Sequence, residues 1–172
     1  MRDKDCGIGD VNLWLEKEPT LKEIIEDIDR FGPNNYDEVV FCGYGEPTMR
    51  LDVLLAAAKH IKEHYQASVR INTNGQADLM YPDPVPPKFS GLIDAVSISL
   101  NAKNAAEYQA ICQSVYGEES FDALIQFAKD CKPYVPKVIM SVVDVLPQED
   151  IAACRKIAED AGVSFRVRTL IE

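Results

Sequence analysis

The chain is short of the features that usually betray a function. Its five cysteines, Cys6, Cys42, Cys112, Cys131 and Cys154, are scattered, and none forms a C-x-x-C pair. An odd, dispersed set suits a reducing cytosol rather than a disulfide framework, and such cysteines read as buried small hydrophobes or surface thiols. The only two histidines, His60 and His64, stand four apart with no third ligand suggested nearby, so they read as surface residues rather than a zinc site. Positive charge is in deficit, with 18 Lys and Arg against 28 Asp and Glu and a net charge of -10. An acidic surface disfavours nonspecific binding to nucleic acid or acidic membranes. No apolar run approaches the roughly 18 residues of a membrane span. Met1-Arg2-Asp3-Lys4-Asp5 has no apolar core of a signal peptide, so the cytoplasm is the expected compartment. P-loop, Ser/His/Asp and metalloprotease motifs are absent as well.

What is present is an ordinary globular composition, 47% hydrophobic and 27% charged in 172 residues. That length predicts one domain, 1–172, with room for a real core. Leu21, Ile24, Ile25, Ile28 and Phe31 recur at helical spacing. Thr20 with Glu23 forms a capping box before them, and Gly32-Pro33 stops the helix. The pattern then predicts strands at Val39 to Cys42, Val69 to Thr73, Ala95 to Leu100, Val138 to Val143 and Ser164 to Thr169. Helices are predicted at Leu51 to His64, Ala105 to Cys112, Phe121 to Cys131 and Gln148 to Ala161, and Tyr81 to Pro87 reads as a proline-rich loop. Strands alternating with helices imply a parallel sheet joined by right-handed crossovers.

The strand faces choose between two parallel architectures. Doubly wound sheets are covered on both faces and read as continuous apolar runs. Here Val69 and Ile71 share one face while Arg70, Asn72 and Asn74 share the other. Val96, Ile98 and Leu100 likewise oppose Ser97, Ser99 and Asn101, and Phe165 and Val167 oppose Arg166 and Arg168. The apolar faces need helices, and the polar faces line something wet or ligand-filled. Since a closed barrel fills its centre with branched apolar residues, the expectation is an open partial (β/α) barrel of about five parallel strands. A one-sided α+β sheet is the alternative.

Ligands of such folds sit at the carboxyl ends of strands. The first of those ends carries Gly43-Tyr44-Gly45-Glu46-Pro47-Thr48. Gly43 and Gly45 allow close approach, and Glu46 with free backbone carbonyls suits an ammonium group. The bland reading is a structural βα turn. The second end, Asn72-Thr73-Asn74-Gly75, offers amides for ribose hydroxyls or ligand amides, against plain turn chemistry as the alternative. Ser99 and Asn101 end the third strand and suit ribose or carboxylate contacts. Arg166 and Arg168 suit bidentate grip of a carboxylate or phosphate, against ion pairing with Glu46 or Asp144 as the alternative.

Together these residues resemble the radical SAM superfamily. Gly43 to Thr48 looks like its GGE motif, with Tyr44 set between the glycines. Asn72-Thr73-Asn74-Gly75 looks like the T-N-G that ends its third strand, and Ser97 to Ala102 resembles its fourth. Asn12 to Thr20 and Ser97 to Ala102 are similar to radical SAM proteins associated with TatD-type nucleases. The resemblance implies S-adenosylmethionine (SAM) as ligand. Gly43, Tyr44, Gly45 and Glu46 would hold its ammonium, and Asn72, Asn74, Ser99, Asn101 and Arg168 would lie near its ribose or carboxylate. It also implies a [4Fe–4S] cluster held by C-x-x-x-C-x-x-C in an intact protein. This chain has no such motif, and Cys6 is the only cysteine before Gly43 apart from Cys42. The expectation is therefore a truncated core whose first strand is missing, inactive as given, whether a fragment or a degenerate relative. The strand Val39 to Cys42 would then be an exposed apolar edge that invites a homodimer. Two rival readings remain: a non-catalytic nucleotide- or protein-binding module, and a cluster-free barrel enzyme using Glu46, Asp144 and Arg168.

Overall fold

The computed structural model describes residues 15–170, so Cys6 and the Asn12 to Trp14 part of the TatD-associated resemblance lie outside it. Helix α1 (Leu21–Phe31) leads into β1 (Glu38–Phe41), followed by α2 (Leu51–His64) and β2 (Ser68–Thr73). A short α3 (Ala77–Met80) precedes β3 (Ala95–Ser99). Helices α4 (Ala105–Cys112) and α5 (Glu119–Cys131) precede β4 (Lys137–Val143), and α6 (Gln148–Ala161) leads to β5 (Ser164–Arg168). Each predicted strand and helix forms within two residues of its expected ends. Only α3 and the short 3-10 turns were not legible, because four residues are too few to show a period.

Local chemistry explains the boundaries. Thr20 accepts from the Glu23 amide while Glu23 reaches back to the Thr20 amide, which closes the capping box. Gly32 ends α1 at φ 65°, and Gly162 ends α6 at φ 69°, conformations that favour glycine.

All five strands are parallel and stand in the order β1-β2-β3-β4-β5. With right-handed crossovers, an order that never reverses sends every connection across the same face. A doubly wound sheet would need a reversal point. The sheet is open, as a partial (β/α) barrel requires. Its covered face carries Val69, Ile71, Val96, Ile98, Met140 and Val142, all buried against Leu54, Ala58 and Ile61 of α2, Leu124 and Phe127 of α5, and Ile151 and Ala158 of α6.

Residues paired in register share a face of a parallel sheet. Asn72, Ser97 and Ile139 therefore form one row of the other face, and Ser99, Ser141 and Arg166 form the next. Arg168 pairs with Val143 one row nearer the carboxyl ends. The polar face predicted from alternation is present, interrupted by Val40 of β1 and Ala95 of β3 in the row of Arg70 and by Ile139 and Val143 of β4.

Candidate functional site

At the carboxyl end of β1, the backbone runs through Cys42 to Glu46 before Pro47 opens a 3-10 turn, Pro47–Arg50. Glu46 caps that turn, its Oε1 accepting the Thr48 amide at 3.1 Å and the Thr48 hydroxyl at 2.7 Å. The same oxygen accepts the Thr73 hydroxyl at 2.8 Å, and Oε2 accepts the Asn74 amide at 2.8 Å. One carboxylate thus clamps the ends of β1 and β2 together. The bonds are uneven: Oε1 takes three of the four and Oε2 only that from the Asn74 amide, so Oε2 keeps acceptor capacity. Thr48 and Thr73 lie within the two loops the sequence singles out, but nothing in it marks their hydroxyls as partners of Glu46, because a hydroxyl two residues from an acid and another on a separate strand show no common pattern.

The two glycines differ from glycines the fold needs for its backbone. Neither Gly43 nor Gly45 has positive φ. A Cβ on Gly43 would meet only Gly45 backbone atoms at 3.6 Å, and one on Gly45 would meet nothing within 4 Å. Space stands open above this loop. Tyr44 is half-buried between them.

The structure brings Asn74 directly to this loop through its amide. Its side-chain oxygen accepts the Gln76 amide at 2.9 Å, an Asx turn, so part of the Asn74-Gly75 signal is turn chemistry as the bland reading held. Asn72 lies one row deeper, with its buried Oδ1 lacking a hydrogen-bond partner. Ser99 is half-buried at the end of β3, the next strand but one from the loop. Asn101 adopts φ 57° and turns its amide onto Cys112 Sγ at 3.4 Å, toward α4.

Arg166 and Arg168 stand on β5, at the opposite edge of the sheet from β1. Among the described residues the ion pairs weighed for them do not form: Asp144 Oδ1 accepts the Leu170 amide at 3.0 Å, and Glu46 takes its hydrogen bonds from Thr48, Thr73 and Asn74. Both arginine Nε atoms are buried without a hydrogen-bond partner. Burial, followed by the neighbouring Arg166 charge, lowers the Arg168 pKa. By contrast Arg70, on the same face, is ion-paired to Glu38 at 2.9 Å.

The cysteines do not converge. Cys42 is exposed after β1 and Cys112 lies on α4, while Cys131 and Cys154 are buried on α5 and α6. Burial pushes the Cys131 thiol well up and that of Cys154 to about 11, the state of structural rather than ligating thiols. Among the described residues no group of three His, Cys, Asp or Glu could hold a metal ion. His60 and His64 stack at 4.3 Å, and His60 Nε2 meets Asp29 at 2.6 Å, which joins α2 to α1. That pairing gives the histidines a structural role at the surface.

No curated protein matches the chain. Among solved structures, a radical SAM methyltransferase from Sphaerobacter thermophilus superposes with a TM-score of 0.53 at 11% identity, covering 87% of this chain and 56% of its own. The likeness is one of fold, and the chain spans little more than half of that neighbour. The family model described as the radical SAM superfamily matches residues 6–161, nearly the whole sequence including both loops that meet at Glu46, and the chain belongs to that superfamily.

Proposed function

We propose that this chain is a SAM-binding radical SAM core in which the β1 loop holds the methionyl ammonium. The observation that carries the reading is the open space over Gly45 beside Glu46 Oε2, which takes a single hydrogen bond from the protein. An ammonium there would meet the Glu46 carboxylate and the backbone at Gly43 and Gly45. Asn74 and Ser99 follow along the strand ends, near enough in the fold to take the carboxylate or ribose. Thr48, Thr73 and the Asn74 amide fix the carboxylate in place, so the site is preorganised by contacts within the chain. When bound together, SAM and a [4Fe–4S] cluster supply the superfamily's radical chemistry.

Titration calorimetry tests the binding. The chain is expected to bind SAM and to bind 5′-methylthioadenosine, which lacks the amino acid group, about tenfold or more weakly, since a charged pair to a fixed carboxylate is worth about 1.5–3 kcal/mol. Glu46→Gln should remove that preference while leaving 5′-methylthioadenosine binding in place. Equal affinity for the two ligands in the unaltered chain would overturn the reading.

A cluster takes three or four thiolates, and the described cysteines do not fit one. We infer that the 172-residue polypeptide alone does not cleave SAM. Anaerobic reconstitution with iron and sulfide is expected to leave no stable iron–sulfur absorbance. A complete [4Fe–4S] spectrum accompanied by SAM cleavage would contradict this. On the cluster-free reading the same loop serves a nucleotide-binding module, which the calorimetry would register as SAM affinity without turnover.

A further inference from the structure

Arg166 and Arg168 project from alternate positions of β5 onto the polar face, and no ion pair satisfies either among the described residues. A guanidinium is always charged, and holding it half-buried without a counter-charge is costly. Elsewhere the protein meets that cost with a carboxylate: Lys62 with Asp94 at 2.5 Å, Arg70 with Glu38 at 2.9 Å and Lys103 with Asp150 at 2.6 Å. The β5 pair is different. Its two positive charges are neighbours, and neither Asp144 nor Glu46, the acids weighed as partners, forms an ion pair with them among the described residues. Beside Arg166 in the same row lies Ser141, a small buried side chain whose hydroxyl already donates to the Ile98 carbonyl at 3.4 Å, so an anion here would be held by the guanidinium groups themselves.

Position decides which anion. The carboxylate of a methionyl group shares its α-carbon with the ammonium, so it must lie beside the β1 loop if Glu46 takes the ammonium. Residues at the ends of β2 and β3 are the ones within its reach. The arginines are on β5, four strand spacings from β1, about 19 Å along the sheet. Arg168, assigned to SAM by resemblance, is thus better placed for a second ligand across the open face. We propose that Arg166 and Arg168 bind an oxyanion group of the substrate, a carboxylate or a phosphate, separate from the carboxylate of SAM. This rests on the reading of the β1 loop as the SAM site. Guanidinium groups take both kinds of anion bidentately.

The test uses the full chain, with inorganic phosphate and acetate as separate probes at constant ionic strength. Phosphate or acetate should raise the melting temperature, and the stronger of the two identifies the anion class. Arg166→Gln and Arg168→Gln should each abolish that rise while leaving SAM affinity within about twofold, since neither side chain then touches SAM. The conservative Arg168→Lys should restore only part of the phosphate effect, because lysine cannot grip bidentately. A tenfold or greater loss of SAM affinity in either glutamine variant, or no response of the unaltered chain to either anion, would refute the proposal. If the anion response depends on the arginines but SAM does not bind at all, the oxyanion site stands and it is the SAM reading that fails.

Discussion

At the end of β1, Glu46 accepts four hydrogen bonds from its own protein, and the neighbouring Gly45 touches nothing. A glycine and the acid next to it look equally important in the sequence, yet their physical roles differ. Gly75 makes the contrast sharper. It sits at φ 75°, and a Cβ there would come within 2.9 Å of Ile98 Cγ2 and Leu124 Cβ, between β3 and α5. Gly75→Ala should therefore cost about 2 kcal/mol or more in a urea titration, from backbone strain and overpacking together. Gly45→Ala should leave the urea midpoint within about 0.5 kcal/mol of the original and act, if the loop is the SAM site, on ligand affinity alone. The acid and the glycines were legible as candidates. Their division into clamp, open space and packing constraint was not, because it depends on which atoms of β2, β3 and α5 stand opposite.

Asp94 shows how elements are tied together. It precedes β3, and its Oδ2 accepts the Val69 amide of β2 at 2.6 Å and the Lys62 ammonium of α2 at 2.5 Å. Its own amide donates to the Val69 carbonyl, and its carbonyl accepts the Lys137 amide of β4. Burial raises the Asp94 pKa, but Lys62, the Val69 amide and Ser68 together outweigh it, so the net shift is downward from 3.8. A carboxyl whose folded pKa is depressed stabilises the fold above its unfolded pKa, and that stability is lost as pH falls through the folded value. The contribution should thus be full at neutral pH and be lost progressively as pH falls below about 4, the ordinary carboxyl value. Asp94→Asn should lower the melting temperature at pH 7 and flatten its decline in the acid range, as followed by circular dichroism against pH. An unchanged acid limb would show that Asp94 carries little of it. The helices and strands themselves were legible because their periods are clean. The knot at Asp94 was not, since its partners lie 25 and 32 residues away in sequence.

At the scale of the molecule, β1 is an edge strand in the described sheet, paired only to β2. Its outer side opens into a groove of about 350 Å³ lined by Ile24, Ile28, Phe31, Tyr36 and Val39, with Phe31 60% exposed. An unpaired apolar edge invites another strand. We propose that a second copy pairs there, edge to edge about a two-fold axis, which matches the donor and acceptor row of β1 with itself. Light scattering should give the dimer mass, and Val40→Pro should reduce it to a monomer by removing a backbone donor from that edge. A monodisperse monomer at micromolar concentration in the unaltered chain would be decisive against it.

The sequence by itself determined the class of the fold and one polar face, because period two in a strand sorts side chains before any partner is known. It also carried the glycine–glutamate loop and the dispersal of the cysteines. Only the tertiary structure decided that Glu46 is clamped by Thr48, Thr73 and Asn74, and that among the described residues Arg166 and Arg168 have no ion pair and no hydrogen bond at Nε. Both outcomes are matters of which groups meet across strands. Alternation along one strand places a charge on a face, but the register and order of its neighbours decide whether an acid is there to answer it.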